Sequence, residues 1–223
     1  MKPLTYTQPI ISNHPHIEES TNTVGQGLPL IIQQGIASLM LLLLSPLMLL
    51  VMLAIRLESK GSAIFTQTRV GEQGQRFQMY KLRSMYCPDD PKYIEPAKLK
   101  SDRDGVCNKF FNDPRITRTG RFIRKLSLDE VPQLINVMKG EMALIGPRPA
   151  LPQECDRYQW YMLERFNAKA GITGLWQVSG RADTSFEEQM ALDLKYVRER
   201  TLWMDIKIIF ATVPAVIFGK GAY

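Results

Sequence analysis

One apolar segment dominates the hydropathy pattern of this chain. No charged residue occurs between Glu19 and Arg56, and residues 35–55 are almost continuously apolar. A run of this length is what a helix needs to cross a bilayer. The polar residues before it include several prolines and predict a flexible N-terminal tail. We therefore predict a tail at 1–27, a membrane helix at 28–57 and a folded domain at 58–223.

Ser45 and Pro46 interrupt the middle of the membrane segment. Proline removes a backbone donor and clashes with the preceding turn, so it kinks or breaks a helix. One interpretation is a kinked single span, because membrane helices tolerate proline. The other is a re-entrant helix that turns back at Ser45-Pro46 and leaves by the face through which it came. The pattern itself leaves both interpretations open.

Basic residues follow the membrane segment directly: Arg56, Lys60, Arg69, Arg76, Lys81 and Arg83. In membrane proteins such residues collect on the cytoplasmic side. The pattern therefore places the folded domain in the cytoplasm. A re-entrant helix would place the N-terminal tail there too.

The folded domain begins with the pattern of a β-hairpin. Residues 62–67 and 76–81 have the composition of short strands, and Gly71 and Gly74 mark a turn between them. Residues 84–112 are rich in proline and aspartate and predict a long loop. Such a loop is either functional or a surface insertion.

Helical patterns dominate the rest of the domain. They occur at 152–166, which is rich in aromatic residues, and at 185–200. Residues 201–218 are apolar but interrupted by charges and by Pro214, which favours an amphipathic helix at the membrane interface. The predicted class is α/β, mainly α and membrane-associated.

Ser127 begins another helical pattern. Ser127 and Glu130 have the spacing of a capping box, and an apolar run follows them. The pattern predicts a helix from Ser127 to near Gly140 with Asp129 and Glu130 in its first turn. There the helix dipole and free backbone N–H groups favour anions.

Composition narrows the possible chemistry. The formal net charge is +6 and the pI is about 9.2, which favours anionic partners such as nucleic acid, an anionic membrane or phosphorylated substrates. The three cysteines are far apart and lack CxxC spacing, which fits a reducing compartment. Both histidines, His14 and His16, lie in the tail. Histidine-based triads are therefore excluded from the folded domain, and a zinc site is disfavoured. Carboxylates and cations must carry any catalysis.

Asp129 and Glu130 are the main catalytic candidates. The pair follows five cations: Arg115, Arg118, Arg121, Arg124 and Lys125. A carboxylate that attacks a phosphate meets repulsion, which nearby guanidinium groups and a divalent metal reduce. Taken alone, however, an Asp-Glu pair in a first helical turn is common as a simple helix cap.

Further candidates could bind a phosphorylated ligand. Arg148 lies between two prolines that fix the backbone around it, and Arg181 ends a glycine-rich segment. Arg115 and Lys81 are also candidate phosphate ligands, although Lys81 could instead be structural. Asp193 lies one turn before Tyr196 in the predicted helix 185–200.

Several ordered motifs resemble the bacterial sugar transferase family, the small monotopic phosphoglycosyl transferases. The resemblance covers residues 30–218 and rests on the segments Lys81–Met85, Asp113–Arg115, Gly120–Leu134, Lys139–Met142, Gly146–Pro149, Ala170–Arg181 and Asp193–Val197. Together these long motifs are far more specific than any one of them.

The resemblance implies an activity and a site. Family members transfer a sugar-1-phosphate from a UDP-sugar to polyprenyl phosphate, usually undecaprenyl phosphate, and release UMP at the cytoplasmic face of the bacterial inner membrane. By resemblance Asp129 is the nucleophile that forms a phosphosugar-aspartyl intermediate, and Glu130 helps to hold Mg²⁺. Arg115, Arg181, Arg148, Lys81 and Asp193 are substrate-binding candidates. Ser45-Pro46 matches the break of a re-entrant membrane helix, and nucleic acid is not an expected partner.

Two other functions remain open at this point. A membrane adaptor would bind anionic lipid through its basic face, and Asp129-Glu130 would then only cap a helix. A phosphohydrolase would pass the same intermediate to water. Arg118, Arg121, Arg124 and Lys125 could equally face lipid headgroups. A homodimer is possible, and the sequence names neither the sugar nor the glycan pathway.

Overall fold

The computed structural model describes residues 26–95, 113–180 and 184–217. Most of the predicted tail, residues 96–112 of the predicted loop, and Arg181 lie outside the described residues. The described chain is mainly helical, with two small two-stranded sheets. This agrees with the predicted α/β, mainly α, class.

The apolar segment forms one long helix, α1, at Leu30–Glu58. It is assigned as continuous across Pro46, and the Ser45 hydroxyl donates to the Leu42 carbonyl at 2.8 Å. Within the described residues it is the one helix whose length and hydropathy would allow it to enter a membrane. The re-entrant course inferred from Ser45-Pro46 stays a prediction.

Helix α1 divides into a packed face and an exposed face. Gln33, Ala37, Val51 and Ile55 are buried against the folded domain. The opposite face exposes large apolar side chains, including Leu39, Leu42, Leu43, Leu49, Leu50, Leu53 and Leu57. Monomeric soluble proteins rarely expose a contiguous apolar surface of this kind, so this face indicates a membrane or protein contact.

The predicted hairpin is confirmed. Strand β1, Ile64–Val70, pairs antiparallel with β2, Arg76–Leu82, in a register that places Ile64 opposite Leu82. A short 3₁₀ turn, Glu72–Gly74, joins the strands. The hairpin fixes the place of Lys81 near the end of β2.

The predicted capping box at Ser127 is wrong. Helix α2 spans Arg118–Lys125, a 3₁₀ turn spans Leu128–Glu130, and α3 begins only at Gln133 and ends at Met138. Ser127 has a left-handed backbone with φ of 53° and makes no side-chain cap. The chain therefore changes direction at Ser127, and its hydroxyl does not meet the backbone N–H groups that a capping box requires.

The second half of the domain surrounds a small parallel sheet of β3, Ala143–Ile145, and β4, Gly171–Thr173. The continuous helix predicted at 152–166 is instead α4, Pro152–Cys155, and a 3₁₀ helix, Trp160–Asn167. Gln159 is extended between them, with ψ of 157°. The Tyr158 ring here packs against Phe166, so tertiary packing overrides the local helical pattern.

The remaining elements are helical: α5, Leu175–Ser179, α6, Phe186–Glu199, and α7, Leu202–Ile217. Ser185 caps α6 by accepting a hydrogen bond from Glu188 N, which confirms the helix predicted there. Helix α7 continues through Pro214 and exposes Trp203 and Phe210. Its predicted place at a membrane interface stays a prediction.

Both ends of α1 are attached to the folded domain. At one end the Gln33 side chain accepts a hydrogen bond from Leu144 N in β3 at 2.7 Å. At the other end the Glu58 carboxylate accepts from Arg118 N at 2.7 Å and Thr119 N at 2.8 Å, which caps α2. The apolar helix therefore lies along the domain.

Candidate functional site

Asp129 and Glu130, here called the dyad, lie on the 3₁₀ turn between α2 and α3. Asp129 is only 8% exposed, and Glu130 is half-buried. The left-handed Ser127 opens the turn, and a non-glycine residue in that conformation costs about 1–3 kcal/mol. Such strain persists where the surrounding structure requires it, as at this buried carboxylate.

Lys81 brings a cation to the dyad. Its ammonium group donates to Glu130 Oε1 at 2.8 Å, across a sequence separation of 49 residues. Strand β2 is held in place by the buried Asn136 of α3. The Asn136 side chain accepts from Tyr80 N at 3.1 Å and donates to the Gln78 carbonyl at 2.7 Å. Helix α3 thus aligns Lys81 with the dyad.

The Asp129 carboxyl resists ionisation. Burial, together with the negative charge of Glu130, raises the pKa of Asp129 to about 6. The positive charges of Lys81 and Arg124 act in the opposite direction. Asp129 is therefore a poorly hydrated carboxylate above about pH 6, which suits a nucleophile.

Asp129 should make the metal-free protein less stable as the pH rises. Its pKa of about 6 exceeds its ordinary value of 3.8, so the folded protein holds this proton more tightly than the unfolded chain. The stabilising contribution is complete below about pH 4 and is lost as the pH rises through about 6. We expect Asp129→Asn to match the wild type near pH 4 and to be more stable by up to about 3 kcal/mol at pH 8.

The measurement is the unfolding temperature in detergent with EDTA across this pH range. The exposed Asp156 provides the matched control, since Asp156→Asn makes the same chemical change on the protein surface. A constant difference between Asp129→Asn and the wild type would contradict a buried, proton-binding Asp129.

Arg124 also belongs to this site. It is partly buried, and burial lowers its pKa while the charges of Asp129 and Asp113 raise it. Its Nε donates to Ser84 Oγ at 2.9 Å. Helix α2 approaches this segment closely, because a Cβ on Gly120 would lie 2.0 Å from the Ser84 carbonyl oxygen. The alternative that Arg124 faces lipid headgroups does not fit this inward position.

Arg115 forms a buried pair with Asp113. Its Nη2 lies 2.6 Å from Asp113 Oδ2, and its Nε donates to Asp113 Oδ1 at 2.8 Å. Burial alone would raise the pKa of Asp113, but the hydrogen bonds and charge of Arg115 outweigh it and lower the pKa. Arg124 acts on the same carboxylate. Arg124 therefore interacts with both this pair and Asp129, and direct substrate binding by Arg115 stays a prediction.

Arg148 and Asp193 lie on other elements than those that carry the dyad. Arg148 is exposed, and its guanidinium lies 5.7 Å from the centre of the Trp176 ring. Asp193 is 1% exposed and lies 2.5 Å from Arg165 Nη2. Its carboxylate is thus engaged inside the protein, and sequence reasoning missed Arg165, whose only signal was its position among aromatic residues.

Two adjacent carboxylates are the groups here that fit a magnesium ion. Within the described residues, no cluster of three or more His, Cys, Asp or Glu side chains could hold a metal. Magnesium commonly takes one or two protein carboxylates and completes its octahedron with substrate phosphates and water. Asp129 and Glu130 meet that pattern, so ion binding here would depend on a phosphorylated ligand.

Comparison with known proteins gives a consistent result. Residues 28–219 match the family model described as bacterial sugar transferase. The chain is 40% identical over 190 residues to the exopolysaccharide production protein ExoY of Rhizobium meliloti, covering 84% of each protein. It is 42% identical over 195 residues to the UDP-glucose:undecaprenyl-phosphate glucose-1-phosphate transferase of Caulobacter vibrioides, covering 84% of this chain and 68% of that protein.

Longer relatives match over the same region. The undecaprenyl-phosphate galactose phosphotransferase of Salmonella typhimurium is 43% identical over 199 residues, which cover 84% of this chain and 40% of that protein. The galactosyl transferase CpsE of Streptococcus agalactiae is 45% identical over 163 residues, 36% of its length. The chain therefore spans well under half of these two relatives.

Proposed function

Because the chain belongs to the bacterial sugar transferase family, we propose that it is a phosphoglycosyl transferase acting at a membrane. It transfers a sugar-1-phosphate from a UDP-sugar to undecaprenyl phosphate and releases UMP. The relatives named for undecaprenyl phosphate and for UDP-glucose or galactose support both substrates. The product, a polyprenyl diphosphosugar, would begin the assembly of a polysaccharide or other glycoconjugate.

In the first step Asp129 is the nucleophile. A carboxylate oxygen of Asp129 bonds to the phosphorus that carries the sugar, and the bond from that phosphorus to the bridging oxygen breaks. UMP leaves with the bonding electrons. The enzyme then holds a phosphosugar-aspartyl ester, an acyl phosphate. The low exposure of Asp129 supports this role, because it limits hydration of the attacking carboxylate.

In the second step a phosphate oxygen of undecaprenyl phosphate attacks the same phosphorus, and the Asp129 carboxylate is released. Lys81 and Arg124 lower the repulsion between Asp129 and the incoming phosphates. Lys81 also orients Glu130 through their 2.8 Å contact. Magnesium, when held by Asp129 and Glu130 with substrate phosphates, would supply further neutralisation of phosphate charge.

The observation that carries this proposal is the environment of Asp129. A helix cap needs neither burial nor a raised pKa, yet Asp129 has both and interacts with two cations. Perturbed carboxylates of this kind concentrate at functional sites. Helix α3 begins only at Gln133, and neither it nor the 3₁₀ turn has a side-chain cap, which further weakens the adaptor alternative, in which the dyad only caps a helix.

We also propose that α1 enters the cytoplasmic leaflet and leaves by the same face. The contacts of Gln33 with β3 and of Glu58 with α2 attach both ends of α1 to one folded domain. A helix that crossed the bilayer would carry one of those ends away from the domain. The exposed leucines between the ends would meet lipid.

The test of the reaction is UMP release from a panel of UDP-sugars. The purified protein would be held in nanodiscs with undecaprenyl phosphate and magnesium. We expect UMP and a lipid-linked sugar phosphate in equal amounts from one donor, with both products lost in EDTA. Free sugar phosphate in place of the lipid product would favour the phosphohydrolase. If folded protein released no UMP from any donor, the adaptor function would be favoured.

A further inference from the structure

The loop Gly146–Ala150 carries one exposed cation on a backbone that is fixed by prolines and hydrogen bonds. Arg148 is its only exposed residue, and Pro147 and Pro149 restrict the backbone on each side. The loop begins at a close backbone approach, because a Cβ on Gly146 would lie 2.2 Å from the Lys169 carbonyl oxygen. The loop is thus rigid beneath the exposed Arg148 guanidinium.

Four consecutive carbonyl groups of this loop accept hydrogen bonds. Gly171 N donates to Pro147 O at 2.9 Å, and Val70 N donates to Ala150 O at 2.9 Å. The two central carbonyl oxygens accept hydrogen bonds from buried arginine side chains. Arg165 Nη2 donates to Arg148 O at 2.7 Å, and Arg69 Nη1 donates to Pro149 O at 3.0 Å. The backbone on both sides of the Arg148 peptide is therefore fixed by side chains from distant segments.

Arg165 occupies the centre of this arrangement. It is 2% exposed and donates to Tyr158 Oη at 2.8 Å as well as to the Arg148 carbonyl. Asp193 in α6 balances its charge, with Asp193 Oδ2 at 2.5 Å from Arg165 Nη2. The one nitrogen, Nη2, thus joins the carboxylate of Asp193 to the backbone of Arg148.

A buried ion pair of this kind is a poor source of stability. Desolvation of both charges offsets their attraction, and hydrophobic replacement of both partners is often neutral or stabilising. What the Arg165–Asp193 pair supplies here, and two apolar side chains would not, is a directed hydrogen bond to Arg148 O. The pair therefore contributes to the position of the Arg148 backbone more than to the stability of the fold.

Arg148 itself projects toward Trp176. The guanidinium lies 5.7 Å from the ring centre, within the range of a cation–π contact. Trp176 is 5% exposed and its Nε1 donates to Thr184 Oγ1 at 2.7 Å, so the ring is also fixed. The guanidinium is exposed, and its planar fork of donors suits the oxygens of a diphosphate.

We propose that Arg165 and Asp193 are positioning residues that hold Arg148 to bind the diphosphate of the nucleotide-sugar donor. Asp193 orients Arg165, Arg165 fixes the Arg148 carbonyl, and Arg148 contacts the donor. This inference rests on the proposed function, and it replaces direct substrate binding by Asp193 with an indirect role.

The test is a double-mutant cycle read in the KM for the UDP-sugar donor. One arm is Arg148→Ala, and the other is Arg165→Met with Asp193→Leu, which removes both buried charges together. We expect each arm to raise KM about tenfold, with kcat changed less than threefold. All changes combined should raise KM no further than Arg148→Ala alone.

If the paired substitution fails to fold, as judged by thermal unfolding, Arg69→Met replaces it as the second arm. This variant removes the hydrogen bond to Pro149 O. It should raise KM only when Arg148 is present. KM effects that multiply in the combined variant, or an unchanged KM in folded variants with Arg148 intact, would overturn the positioning role. Failure of the proposed function is distinguishable, because the wild type would then release no UMP.

Discussion

Asp129→Asn should reduce UMP release and lipid product by at least about 10³-fold. The amide has nearly the shape of the carboxylate, but it cannot form an acyl phosphate with the sugar-linked phosphorus. Stability should not decline, because the buried Asp129 carboxyl has a pKa of about 6 and is charged at neutral pH. Removing that charge favours the folded state. The measurement compares initial rates in nanodiscs at saturating donor and lipid.

Asp156→Asn is the matched control for this loss. Asp156 is exposed, so the same chemical change there should leave the rate within about twofold of the wild type. If Asp129→Asn kept the wild-type rate while folded, Asp129 would not be the nucleophile. The dyad would then be a structural turn, and the adaptor interpretation would regain support.

Single cysteines placed before α1 and in the folded domain should react from the same side of the membrane. Gln26 and Gln153 are exposed and lie on the two sides of α1 in the chain. With a re-entrant α1, Gln26→Cys and Gln153→Cys should both react almost completely with an impermeant maleimide in inside-out vesicles. Neither should react in intact spheroplasts.

The native cysteines allow a clean background. Cys87 and Cys107 would be replaced by Ser, while Cys155 can remain because burial raises the pKa of its thiol to about 12. The background protein without an added cysteine is the control for residual labelling. Labelling of Gln26→Cys in spheroplasts, with Gln153→Cys protected, would show that α1 spans the bilayer.

Local patterns were sufficient for some elements of the fold. The hairpin of β1 and β2 could be predicted because its two strand-like segments and turn glycines are adjacent in sequence. Helix α6 could be predicted because Ser185 caps it directly. The same reasoning was wrong at Ser127, because sequence spacing does not show a left-handed backbone, which depends on the packing of α2 and α3 around the turn.

The candidate site was predictable only in part. Asp129 and Glu130 stand out as adjacent carboxylates after a basic run, but the Lys81–Glu130 contact depends on how β2 packs on α3. Asp193 was predicted as a ligand from the family resemblance, and the helical pattern around it does not reveal its buried partner Arg165. The sequence left open whether Arg124 lies near the dyad or faces lipid headgroups, because that depends on how α2 packs against the Ser84 segment.

The covalent step on Asp129 is the central claim, and trapping the intermediate tests it most directly. A UDP-sugar labelled at the sugar-linked phosphorus would be mixed with enzyme and magnesium without acceptor lipid. We expect up to about one label per wild-type chain, released by hydroxylamine as an acyl phosphate would be, and none on Asp129→Asn. Added undecaprenyl phosphate should then move the label into lipid. An unlabelled wild type that still makes product, or equal labelling of Asp129→Asn, would contradict the mechanism.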